Sequence, residues 1–64
     1  MIKEYERVII KKTGITGIVI DISETRDGKN YIVESIEKGV PGGYGPNDSW
    51  KLFDCEESEL EKID

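Results

Sequence analysis

With one cysteine and no histidine in 64 residues, this chain has neither a disulfide nor a Cys/His zinc site to fold around. So short a chain buries only about 60% of the surface its unfolded form exposes, which leaves a thin core and no room for a second domain. Small domains without staples depend on regular, fully paired architecture. The expected solution is a hydrogen-bonded sheet curled onto itself, as one domain spanning residues 1–64.

The residue pattern agrees. Arg7-Val8-Ile9-Ile10-Lys11 is β-branched and too short for an amphipathic helix. Gly14 and Gly17 then suit a tight turn or bulge, and Gly17-Ile18-Val19-Ile20-Asp21-Ile22 alternates, with Ile18, Ile20 and Ile22 on one face. Asp27-Gly28 marks a hairpin turn. The third strand, Asn30 to Ile36, sets Tyr31 and Val33 on one face and Ile32 and Ile36 on the other. Residues 39–48 hold four of the seven glycines and both prolines, so this stretch predicts a long loop. Ser49 to Asp54 resumes a strand, with Trp50 and Leu52 on one face and Phe53 and Cys55 on the other. Apolar residues on both faces suggest a strand covered on both sides or a bulge near Asp54. Over 56–63, Leu60 and Ile63 fit either a helical turn, with Ser58 and Glu61 as a capping box, or a short closing strand.

Five short β elements are expected, with Val8, Ile10, Ile18, Ile20, Val33, Leu52 and Leu60 filling a small barrel interior. The competing arrangement is a twisted sheet with residues 55–63 as a helix across one face.

The charge is unevenly placed. Residues 1–36 carry six basic and six acidic side chains, whereas 54–64 carry six acids against Lys62, which accounts for the whole net charge of −5. An acidic C-terminal edge of this kind makes a nucleic-acid partner unfavourable, because phosphate backbones select basic surfaces. No apolar run exceeds three residues, against about 20 needed to span a bilayer, so no membrane association is expected. A lone thiol and an acidic rather than signal-like N-terminus point to a cytoplasmic protein, read as complete from its initiator methionine.

The stretches IKEYERVIIKKTGITGIVIDI, GKNYIVESI and SWKLFDCEESELEKI resemble small prokaryotic SH3-like barrels, including the KOW-like kind. Glu6 and Val8 match their first-strand start, and Gly17, Val19 and Asp21 the second-strand hairpin. Tyr31, Val33 and Glu34 match the third strand, and Glu59, Leu60 and Ile63 the terminal element. The resemblance implies an all-β, five-stranded barrel with a long Gly/Pro-rich loop and a short helical turn or closing strand at its C-terminus. It implies no particular activity.

Catalysis finds little footing in the sequence. Without histidine there is no Ser-His or Cys-His nucleophile pair, and the acids beside Cys55 disfavour its thiolate. The acidic stretch Asp54, Glu56, Glu57 and Glu59 lacks the ligand order of a calcium loop and is expected to be a solvated edge, with no metal and no cofactor. Gly42-Gly43-Tyr44-Gly45 lacks the Gly-Lys-Ser/Thr ending of a phosphate loop. What remains is an aromatic surface of Tyr31, Tyr44 and Trp50 beside Asp48. The expected function is therefore a non-catalytic protein-interaction or accessory module with a protein partner. The alternative is an acidic decoy that occupies the nucleic-acid-binding surface of a basic partner. Pairing into a homodimer stays open.

Overall fold

The computed structural model describes residues 2–63, which form one antiparallel sheet of five strands. These are β1 (Arg7–Ile10), β2 (Ile15–Thr25), β3 (Gly28–Lys38), β4 (Trp50–Glu56) and β5 (Leu60–Lys62). Their order across the sheet is β4-β3-β2-β1-β5. The first four strands are a meander, and β5 returns to pair with β1, Val8 opposite Lys62 and Ile10 opposite Leu60.

That return dictates the curvature. β4 and β5 are opposite edges of the sheet, yet only the 3-10 turn Glu57–Glu59 separates them. In a flat sheet at about 4.8 Å per strand pair, the edges would lie about 19 Å apart. Four residue steps of a 3-10 turn reach roughly 8 Å. The sheet must therefore coil until its edges approach. It does not close: the two edge strands are not hydrogen-bonded to each other, so the expected complete barrel is not formed. The open choice over residues 56–63 resolves into both elements in succession, the turn and then the strand. The turn is closed by the Glu59 carboxylate, which accepts the Glu56 N–H at 2.8 Å, rather than by Ser58 and Glu61.

The concave side of the coil is the core: Ile2, Val8, Ile10, Val19, Tyr31, Val33, Cys55 and Leu60, with Ile15, Ile22 and Phe53 packed against it. Val8, Ile10, Val33 and Leu60 are where the sequence pattern places them. Ile18, Ile20 and Leu52 are not; all three are half-buried and lie outside the core cluster. The cause in β2 is a bulge. Val19 pairs with Val33 and Asp21 with Ile32, so Ile20 is an extra residue that shifts the phase of the alternation. Val19 and Ile22 point inward on either side of it. In β4 the register from Leu52 to Glu56 is continuous, so no bulge occurs at Asp54, and Phe53 and Cys55 rather than Leu52 face the core. Where β2 crosses β3, the approach is close: a Cβ on Gly17 would run into the Val33 side chain and lie 2.6 Å from the Glu34 carbonyl oxygen.

Tyr31 lies on the Val33 face as its alternation predicts, and that face is the core. It is fully buried, which removes it from the expected aromatic surface.

Residues 39–49 contain no strand, but the loop is tied down. Tyr44 and Leu52 exchange backbone hydrogen bonds of 2.8 and 2.9 Å along the outer edge of β4. The buried Lys51 runs beneath the loop, and its ammonium donates to the Gly42 carbonyl at 3.2 Å. Its backbone N–H donates to the buried Ser35 hydroxyl at 3.0 Å, and that hydroxyl donates to the Glu37 carbonyl at 2.7 Å.

Candidate interaction face

Residues directly opposite one another in adjacent antiparallel strands present side chains on the same face, about 5 Å apart. The registers therefore define what the convex face carries. One row runs Tyr44, Leu52, Glu34, Ile18, Arg7 across the loop, β4, β3, β2 and β1. A second, two residues along β3, sets Ile32 between Asp54 on β4 and Asp21 on β2. The bulge residue Ile20 adjoins this row. Beyond the first row, Trp50 is opposite Lys38, whose ammonium sits 4.4 Å from the indole centroid.

This face is apolar without being covered. Ile18, Ile20, Ile32 and Leu52 are half-buried, while Tyr44 is 70% exposed and Trp50 50% exposed. Ile36, in the irregular stretch where β3 leaves its register with β4, is also exposed. Asp21, Glu34 and Asp54 are exposed among these side chains, and none of the three enters an ion pair or a side-chain hydrogen bond among the described residues. The face offers contact area, an aromatic–cation pair and unneutralised carboxylates, which are means of recognition.

Of the residues singled out by the sequence, the structure brings Tyr44 and Trp50 to this face through their shared neighbour Leu52. Asp48 lies apart, in the exposed turn held by the Ser49 N–H on the Pro46 carbonyl at 3.1 Å. Tyr31 is beneath the sheet, with its hydroxyl buried against the Glu57 carboxylate but without a well-formed hydrogen bond to it. Burial first, and that carboxylate second, raise the phenol above its ordinary value near 10.

The acidic edge is divided rather than continuous. Asp54 is on the convex face, Glu59 is folded onto the Glu56 backbone, and Glu57 adjoins Tyr31. Glu56 and Glu57, with Thr25, Asp27, Lys29 and Asn30, line an open polar groove of about 350 Å³ at the β2–β3 turn. No group of three or more carboxylate, thiol or imidazole side chains among the described residues is placed to hold a metal ion. The Cys55 thiol is pushed up to about 11, chiefly by burial and further by Glu59 and Asp54. No helix among the described residues is long and apolar enough to cross a membrane.

The residues that sequence reasoning missed are Ile18, Ile20, Ile32 and Leu52 as surface, with Glu34 and Asp21 between them. The alternation of β3 did separate Ile32 from Val33; what it lacked was the bulge in β2 that turns Ile18 outward alongside Ile32. No family model, curated protein or solved structure matches this chain.

Proposed function

We propose that this chain is a non-catalytic protein-interaction module on an SH3-like scaffold, and that the convex face bearing Tyr44 and Trp50 is its docking surface. The SH3-like assignment is supported by the β5–β1–β2–β3–β4 order, the 3-10 turn between the fourth and fifth strands, and the coil this connection imposes. The observation that carries the functional reading is the exposure of Tyr44 and Trp50 in a chain with so thin a core. Large aromatic side chains are the most valuable core material a small domain has, and also the residues most enriched in interface hot spots. Here Tyr44 is held in solvent by a loop pinned through Lys51 and Leu52, and Trp50 by its place at the start of β4.

The test is affinity capture from cytosolic extract with the native chain and a Tyr44→Ala/Trp50→Ala variant whose fold is checked by circular dichroism. A partner held at high salt by the native chain and lost by the folded variant is the expected result. A basic partner released by salt and indifferent to the variant would instead move the function to the acidic residues 54–61, as a decoy for a nucleic-acid-binding surface.

A further inference from the structure

The charge on the convex face narrows the class of partner. On β2, β3 and β4 three exposed carboxylates are interleaved with the aliphatic side chains of this face: Asp21 and Asp54 flank Ile32, while Ile18 and Leu52 flank Glu34. Glu34 is diagonal to both aspartates, a spacing of about 7–8 Å on an antiparallel sheet. The basic residues of the same face do not neutralise them. Lys38 is engaged on the Trp50 ring, and Arg7 is at the far end of its row, separated from Glu34 by Ile18.

From this arrangement we infer that the convex face of β2, β3 and β4 docks a basic apolar segment of a partner protein, one presenting Lys or Arg among aliphatic side chains on a single face. The inference rests on the interaction-module reading and names the chemistry of its partner. Apolar side chains of the segment cover Ile18, Ile32, Leu52 and Trp50, and its cations reach Glu34, Asp21 and Asp54. Same-face residues of an extended strand are about 6.8 Å apart, close to the carboxylate spacing. A second copy of this chain fits poorly, because it would bring the same carboxylates and a net charge of −5 against their own kind. Nucleic acid and anionic membrane surfaces are opposed by the same three charges. In the free protein these charges have a use of their own, since like-charge repulsion keeps the apolar face from pairing with itself.

The probe is the short peptide Leu-Ser-Lys-Ser-Lys-Ser-Leu, whose leucines and lysines share one face of an extended strand, titrated into the isotope-labelled chain beside its counterpart with glutamate in place of lysine. Saturable binding of the lysine peptide is expected, with the largest amide shifts at residues 18, 32–34 and 52–54. Glu34→Lys should weaken it by about tenfold or more, the equivalent of one well-placed charge contact. Glu61→Lys, the same charge change on β5, should alter it less than about threefold through general screening alone. Equal losses in the two variants would reduce the effect to net charge and overturn the inference. So would equal binding of the glutamate peptide, shifts confined to residues 56–61, or no binding of the lysine peptide. If these fail while capture still depends on Tyr44 and Trp50, the module reading stands and only the partner chemistry is wrong; if both fail, the face is not the site.

Discussion

The two faces of this sheet are built from the same kinds of residue and have opposite fates. On the concave face Val8, Val19 and Val33 are completely buried. One position away on each strand, Ile9, Ile18 and Ile32 stay half in water. Hydrophobicity alone does not decide between them, since the isoleucines are the larger and more apolar set. The coil decides: it has one inside, and a chain of this length fills that inside with about eight side chains. The aliphatic residues left over need a reason to be where they are, and their interleaving with Asp21, Glu34 and Asp54 supplies one.

The largest test of this contrast sets two aromatic residues against each other. Tyr31→Ala removes the bulkiest fully buried side chain and should cost about 3–5 kcal/mol. That is much of the roughly 3–10 kcal/mol that holds a domain of this size together. Trp50→Ala, on the convex face, should cost less than about 1 kcal/mol despite removing the larger ring. Tyr31→Phe should change stability by less than about 1 kcal/mol, because the hydroxyl it deletes is buried against the Glu57 carboxylate without a well-formed hydrogen bond. Urea unfolding of the three variants checks all of this. Comparable losses for Tyr31→Ala and Trp50→Ala would mean the faces are not divided as described.

A finer test uses adjacent residues of β3. Val33→Ala should destabilise by about 2 kcal/mol, and Ile32→Ala, though it deletes a larger side chain, by less than about 1. Binding should rank the other way, with Ile32→Ala weakening the lysine–leucine peptide and a folded Val33→Ala leaving it nearly unchanged. The same ranking in both measurements would make the convex face structural rather than a docking surface.

How far this division could be seen in the sequence differs from strand to strand. In β3 the alternation is unbroken through Val33, so the residue pattern by itself pairs Tyr31 and Val33 on one face. The hairpin turn was also legible: Thr25 pairs with Gly28, closing a loop of Arg26 and Asp27 beside the expected Asp-Gly signal. In β2 the equally regular Ile18, Ile20 and Ile22 misled, because a bulge is a property of two strands and leaves no fixed mark in one. The residue pattern puts Trp50 beside Leu52 and in one surface with Tyr44, but how the two aromatics meet there was beyond the sequence. That depends on Tyr44 folding back onto Leu52 across seven intervening residues, and on Lys38 arriving opposite the Trp50 ring. The resemblance to SH3-like barrels anticipated the five strands, but the acidic C-terminal stretch gave no sign that the structure would divide it among three surroundings.

The smallest expected effect lies away from both faces, where the N-terminal turn meets β5, and it carries a definite sign. One Glu6 carboxylate oxygen is 2.9 Å from the Lys62 ammonium, and the other accepts the Lys3 N–H at 2.8 Å. The Lys62 contact first, and the Lys3 hydrogen bond second, hold the carboxyl below its ordinary value near 4.5. A carboxylate with a depressed value in the folded chain binds fewer protons there than when unfolded, so folding gains from its ionisation. The gain is present above the ordinary carboxylate range and is lost as pH falls through the lowered value. Glu6→Gln should therefore lower the urea midpoint slightly near neutrality, and the two proteins should converge in acid. Because the pair is open to solvent, added salt should shrink the difference at neutral pH as well. A gap that persists in acid would show that the Glu6 side chain acts through the shape of its turn. That turn already holds Tyr5 at a φ of 67°, a left-handed conformation uncommon for a bulky side chain, so a persistent gap would identify the turn itself as what the Lys3–Glu6 hydrogen bond secures.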